Sequence, residues 1–281
     1  FKMHTTGRSG GIVTIHDLWL VRHPEYSRKL LGQAGSSRRA IATANRARRV
    51  VTVSEFSARE IEALYGIPRE RVVVIHNGVT EEFSPVQDEQ GMAVLRARWA
   101  IPSAGFILFV GGADPRKNHR VFLQAVAQSR SQLGGRAILL VGDAEHPQGS
   151  YLATARSLGL EQDVRCTGRL NREDLCRLYS YAEVFVFPSL YEGFGMPVLE
   201  AMACGAPTIT SSTSSLPEVA GDAALLVNPE DAEALGAAMV KVLSEQALRQ
   251  QLRDRGFERT RLFTWQRAAL RTSALYRELC A

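Results

Sequence analysis

Short runs of apolar residues such as Phe106–Val110 and Ala137–Val141, each followed by a stretch with helical spacing, recur along this chain. That alternation constrains its fold more than any other feature. A five-residue run with no polar residue on either side of the pleat has to be covered on both faces. Strands covered on both faces and joined through helices build parallel sheets with helices packed above and below. The sequence predicts strands at 11–15, 50–53 and 72–75 with helices at 40–49 and 57–65. It then predicts strands at 106–110, 137–141, 164–167, 184–187, 207–210 and 224–227, with helices at 121–133, 151–158 and 172–182. Two further helical stretches fill 231–259, and a last amphipathic helix covers 265–279. Between Glu81 and Gly91 the pattern lapses into Pro, Ser, Gln and acidic residues, which reads as the connection between two Rossmann-like halves. With 281 residues, 45% of them hydrophobic, the chain can fill two cores, and no apolar run is long enough to span a bilayer.

The stretch from Tyr191 to Glu200, Tyr-Glu-Gly-Phe-Gly-Met-Pro-Val-Leu-Glu, follows the strand 184–187 and carries the most chemistry. Pro197 suits a first helical turn, where its missing N–H costs nothing, so Glu192 falls in a loop and Glu200 inside a helix. Gly193 and Gly195 let the backbone approach a ligand, and the N–H groups at a helix start favour an anion. Two carboxylates to accept hydrogen bonds from sugar or ribose hydroxyls, beside N–H donors for a diphosphate, fit a nucleotide-sugar. The same ten residues would also serve a plain strand-to-helix turn with two solvated glutamates. A second glycine-rich turn, Gly111-Gly112-Ala113-Asp114-Pro115-Arg116-Lys117-Asn118, lies between strand and helix. Arg116 and Lys117 there would offset a diphosphate and stabilise it as a leaving group.

Tyr191 to Glu200 resembles the Glu-x7-Glu signature of the retaining glycosyltransferases of family 4, which share the GT-B fold. The resemblance continues through Ala-Met-Ala-Cys-Gly-Ala-Pro at 201–207, Ser-Ser-Leu-Pro-Glu-Val at 214–219 and Asp-Ala-Ala-Leu-Leu-Val-Asn-Pro at 222–229. Upstream it takes in Pro115 to Asn118, Asn77-Gly78-Val79 and Ile15-His16-Asp17-Leu18, so it covers nearly the whole chain in the right order. It implies an α/β protein with two Rossmann-like domains whose parallel sheets face a cleft, the first of them incomplete here. The expected boundaries are 1–82 for the acceptor-side domain, 83–264 for the donor domain, and 265–281 for a helix crossing back to the first.

Roles follow from the resemblance residue by residue. His16 is implied to face the donor sugar across the cleft, with Asp17 holding the turn. Glu192 would contact the transferred sugar and Glu200 the ribose. Gly193, Phe194 and Gly195 would lend backbone N–H groups, as would Val198 and Leu199 toward the phosphates. Gly111 and Gly112 line the phosphate loop, Lys117 matches the diphosphate lysine, and Gly168-Arg169-Leu170 falls where the base-recognition loop lies. Many members carry an arginine directly after the first glycine of the phosphate loop. Here that place is Gly112, and Arg116 is expected to take the role. The implied reaction keeps the anomeric configuration, with the leaving diphosphate taking the acceptor proton and no cofactor or metal. The sequence also lacks the Asp-x-Asp cluster that would hold a divalent ion. His16-Asp17-Leu18, His23-Pro24-Glu25 and the two glycine-rich motifs are similar to bacterial mannosyl- and rhamnosyltransferases of surface polysaccharide synthesis, so GDP-mannose is the first donor expected. A UDP-glucose or UDP-N-acetylglucosamine user is the alternative, as is a nucleotide-sugar-binding module without turnover.

Charge and thiols bear on partners. Residues 1–82 hold 13 Lys and Arg against 8 Asp and Glu, out of 34 and 29 in the chain, so the net +5 belongs to that part. Arg28, Lys29, Arg38, Arg39, Arg46, Arg48 and Arg49 form a run without an acidic residue. Such a run suits an anionic membrane surface or a polyprenyl-diphosphate-linked glycan acceptor, and equally a solvated basic face. Nucleic acid is not expected, because aromatic residues do not interleave with the basic ones. Cys166, Cys176, Cys204 and Cys280 show no Cys-x-x-Cys spacing, as for reduced thiols in a cytoplasmic protein.

Overall fold

A computed structural model describes residues 2–4, 11–23, 36–146 and 149–280. The chain divides into two compact units. The first comprises Phe1–Gly78, Tyr191–Gly195 and Phe263–Ala281; the second comprises Val79–Leu190 and Met196–Leu262. The segment Tyr191–Gly195, inside the expected donor domain by sequence, groups with the first unit by its contacts.

The sheet of the first unit runs β1 (Lys2–His4), β2 (Ile12–Ile15), β3 (Arg49–Thr52) and β4 (Val72–Val74), in that spatial order. β2, β3 and β4 are parallel, and β1 is an antiparallel edge strand that the alternation did not predict. Successive side chains along these strands point to opposite faces. Val13, Ile15, Val50, Val72 and Val74 pack with Ala58, Ile61 and Tyr65 of helix Glu55–Tyr65. Ile12, Val51, Val73 and Ile75 pack on the other face with Ala268, Leu275 and Leu279 of helix Trp265–Cys280. That last helix also ties down part of the basic run. Arg48 donates to the Leu279 carbonyl at 2.9 Å, and Arg49 pairs with Glu278 at 2.8 Å. Arg38 and Arg39 lie in helix Ser36–Arg46, while Arg28, Lys29, Pro24 and Glu25 lie outside the described residues.

The second unit holds β5 (Phe106–Val110) and β6 (Ala137–Val141), a short hairpin of β7 (Glu145–His146) and β8 (Gly149–Ser150), then β9 (Val164–Gly168), β10 (Val184–Phe187), β11 (Thr208–Ser211) and β12 (Ala224–Val227). Its six-stranded sheet is parallel throughout, in the order β12-β11-β10-β5-β6-β9. Every residue of β6 and β10 is buried, as their unbroken apolar runs require. Caps set the helix starts: Asn171 accepts from the Asp174 N–H, and Asp231 from the Ala234 N–H. Among the described residues the periodicity missed the short helices Trp19–Arg22 and Leu216–Ala220 and one longer helix. Glu89–Arg98 begins inside the expected connection, where the Asp88 side chain caps the Gly91 N–H and Arg177 pairs with Asp88 at 2.8 Å. Only Met92 and Leu95 of that helix are buried, too narrow a stripe to register as helical spacing. No helix among the described residues is long and apolar enough to cross a membrane.

Candidate active site

In the second unit, β5 leads to β6 on one side, and the chain later returns to place β10 on the other. The order reverses between β5 and β10, and a crevice at the carboxyl ends of such a pair is where open parallel sheets bind ligands. Both candidate loops leave the sheet there. Asn118, buried and with φ +60°, donates to the carbonyls of Pro188 and Pro229 at 3.1 and 2.6 Å. The Arg116 carbonyl accepts from the Ser189 hydroxyl at 2.9 Å and from the Leu190 N–H at 2.8 Å. The loop after β5 is thereby stitched to the segment after β10.

Within that loop the two cations differ. Arg116 turns back on Asp114, donating Nε and Nη2 to one carboxylate oxygen at 2.9 and 2.8 Å while its N–H reaches the other at 2.9 Å. Burial would raise the Asp114 carboxyl, but the Arg116 guanidinium outweighs it and holds the group below its usual range. The structure therefore makes Arg116 half of a loop-shaping ion pair, a constraint on the role expected for it. Lys117 carries its ammonium 5.0 Å from the centroid of Phe187, at the end of β10. Its stem crosses Gly111 so closely that a Cβ there would stand 3.0 Å from Lys117 Cγ. Gly112 is different, because a Cβ would meet nothing nearer than 3.8 Å. No crowding demands glycine at the place where the family resemblance would put arginine.

Gly111, Gly142 and Gly168 link three strand ends. The Gly111 N–H donates to Val141 at 2.9 Å and the Gly142 N–H to Gly168 at 3.0 Å. Gly168 has φ +72°, and the exposed Arg169 next to it pairs with Asp143 at 2.6 Å, which holds that carboxyl low. Leu170 is half-buried beside them. Helix Met196–Ala203 follows β10, and regular geometry leaves the N–H groups of its first turn, Val198 included, without an intrahelical acceptor. The side chains of Val198 and Leu199 are fully buried, so only their backbone could face a ligand. Glu200 lies further along that helix. Burial raises its pKa, against the Tyr179 hydroxyl, which donates to it at 3.4 Å, and the Arg172 charge.

The first unit holds the other residues. His16 and Asp17 are exposed after β2, and Asp17 accepts from the Trp19 N–H at 3.0 Å, holding the turn. The Tyr191–Gly195 turn packs against them. A Cβ on Gly193 would lie 2.2 Å from the His16 carbonyl oxygen and 2.9 Å from Asp17 Cβ, so only glycine fits. The Gly193 carbonyl accepts from the hydroxyls of Ser54 and Ser57, at 2.7 and 3.2 Å, at the start of helix Glu55–Tyr65. Tyr191 accepts from the Leu18 N–H at 3.2 Å through its hydroxyl, and its ring meets Trp19 and Phe56. Phe194 is buried against the rings of His76 and Phe263. Glu192 thus sits on a turn fixed on both sides, next to the glycine that touches His16, and Gly195 ends it with φ +107°. Sequence reasoning missed Ser54, Ser57 and Tyr191 as the clamps; the Ser-x-x-Ser spacing ahead of a helix was the available signal.

Comparison with known proteins bears on the family and the fold. A model for glycosyl transferases group 1 matches residues 94–259, and one for Glycosyltransferase Family 4 matches 6–83. The chain is 32% identical over 270 residues to the O-antigen chain mannosyltransferase B of Escherichia coli, covering 95% of this chain and 70% of that protein. It is 34% identical over 233 residues to the serotype-specific mannosyltransferase WbdA of Escherichia coli, covering 82% of this chain and 28% of that one. Among solved structures, sucrose-phosphate synthase from Thermosynechococcus elongatus superimposes with a TM-score of 0.78 at 29% identity, over 95% of this chain and 67% of that one.

Proposed function

Because the chain belongs to the family 4 glycosyltransferases, we propose that it transfers mannose from GDP-mannose to a glycan acceptor with retention of configuration and without a metal. Two relatives that bear the name mannosyltransferase, at 32% and 34% identity, favour that sugar. The observation that carries the reading is the packing of His16 on the Glu192–Gly193 turn, because it brings the residues that carry an imidazole and a carboxylate to one place in the first unit.

In this reading Glu192 and His16 hold the hexose, and Glu200 accepts hydrogen bonds from the ribose. Lys117 and the first turn of helix Met196–Ala203 stabilise charge as it grows on the leaving diphosphate, the usual way a transferase lowers such a barrier. Arg116, tied to Asp114, keeps the loop in shape and adds positive potential. The departing diphosphate takes the proton of the acceptor hydroxyl on the same face of the sugar. Arg46 and its basic neighbours would favour an acceptor carried on a polyprenyl diphosphate at an anionic surface.

A panel of GDP, UDP, GDP-mannose and UDP-glucose, titrated by calorimetry and followed by a transfer assay, tests the reading. His16→Ala should depress turnover far more than it weakens bare GDP. Preference for UDP compounds would replace the donor, and donor binding without turnover would mark a binding module. Equal loss of GDP and GDP-mannose affinity in His16→Ala would remove the histidine from the sugar.

A further inference from the structure

The first unit contains a cavity of about 160 Å³ between its sheet and helix Trp265–Cys280. It lies toward the carboxyl ends of β2, β3 and β4, with exposed His16 among its lining residues. We propose that this cavity receives the terminal hexopyranose of the acceptor, and that the last helix is a specificity-determining wall of the acceptor site. The proposal rests on the transferase reading above and extends it to the second substrate.

The lining selects the guest. Val51 and Ile75 supply apolar walls, while Thr14, Asn77, Thr272 and Tyr276 bring polar groups. A pyranose has that mixture, with C–H faces and a rim of hydroxyls. A lipid chain would offer those polar groups no hydrogen bonds, which is costly when they are shielded from water. An anion would meet no lysine or arginine among the described lining residues. Trp265 and Tyr276 stay 46% and 40% exposed, and such half-covered aromatics give a sugar face a surface to stack on. The volume equals that of about five waters, which the hydroxyls of one sugar could replace bond for bond. His16 connects the two substrates: it lines the cavity and stands against Gly193, beside the residue whose carboxylate is assigned to the donor hexose.

The test uses Thr272→Leu, which fills the cavity and gives up a helix-internal hydrogen bond to the Ala268 carbonyl. Tyr276→Ala, on an exposed position, is the second variant. With GDP-mannose as donor and p-nitrophenyl α-mannoside as acceptor probe, both variants should raise the acceptor KM by about tenfold or more. GDP affinity and acceptor-free donor hydrolysis should stay within about twofold of the parent. An acceptor KM unchanged in both folded variants would overturn the pocket while leaving the transferase reading intact. A parent that neither binds nor hydrolyses any nucleotide-sugar would overturn the transferase reading itself. Methyl α-mannoside then gives an independent readout, since it should shift a fluorine label on Trp265 in the parent and not in Thr272→Leu. No shift in the parent at saturating mannoside also overturns the pocket.

Discussion

Glu192 sits on a turn whose described contacts belong to the first unit, whereas Glu200, in the same ten-residue motif, sits in a helix packed inside the second. Around Glu192 the chain is fixed through its backbone: the Gly193 carbonyl is held by two serines, and neighbouring rings are packed on either side. Around Glu200 the environment acts on the carboxylate itself, which burial disfavours in its charged form. One glutamate is positioned and the other is poised. A half-buried carboxylate with few donors gains most from a ligand that brings hydroxyls, and that gain is available only when the ligand is bound.

The largest effect should come from Gly193→Ala. A methyl group cannot occupy the space of the His16 carbonyl, so the turn must move away from His16. Turnover should fall by about a hundredfold or more, on the order of 3 kcal/mol in the barrier, while GDP affinity holds. Equal turnover in a folded variant would undo the distinction between the two glutamates at its root. Next, Glu200→Ala should weaken GDP by about 1.5–3 kcal/mol, whereas Glu192→Ala should change it by less than about 0.5 kcal/mol. Calorimetry giving the same loss for both would merge the two roles.

Tyr191→Phe probes the clamped turn through stability. It leaves the buried Leu18 N–H without its acceptor, at about 1–2 kcal/mol in urea unfolding, with GDP affinity unaffected. The smallest effect concerns the raised pKa of Glu200. The folded state binds that proton more tightly than the unfolded chain does, so its contribution to stability is present below the ordinary carboxylate range and is lost as pH rises through the raised folded value. Glu200→Gln should therefore melt higher than the parent at neutral pH, and the difference should vanish in acid. A difference that grows in acid would show the carboxylate to be stabilised by the fold.

Much of the fold was legible because burial on both faces leaves a plain mark. The strands Phe106–Val110, Ala137–Val141, Val184–Phe187 and Ala224–Val227 lie where the apolar runs predicted them. Helix Glu89–Arg98 was not legible, since a ten-residue helix that buries two side chains carries almost no periodic signal. The antiparallel strand β1 was not either, because pairing direction depends on where the chain goes between strands. At the site, the residue types and spacing marked Lys117, Glu192 and Glu200 as candidates and the family resemblance added His16, but nothing in the spacing tied Arg116 to Asp114. Aspartate two residues before arginine reads equally as two solvated charges.

Residue order alone dictates the parallel α/β architecture, because strand burial and helix periodicity are local properties that each segment carries by itself. It likewise dictates which glycines stand in the two loops. Which neighbours those glycines meet is a matter of packing: Gly193 must be bare because the His16 carbonyl occupies its side-chain space, while a Cβ on Gly112 would make only ordinary contacts. Packing also raises the pKa of Glu200 and sets Trp265–Cys280 as the wall of a cavity with β2, β3 and the residues that follow β4. Contact, burial and desolvation arise between segments far apart in the chain, and no local pattern encodes the distance between them.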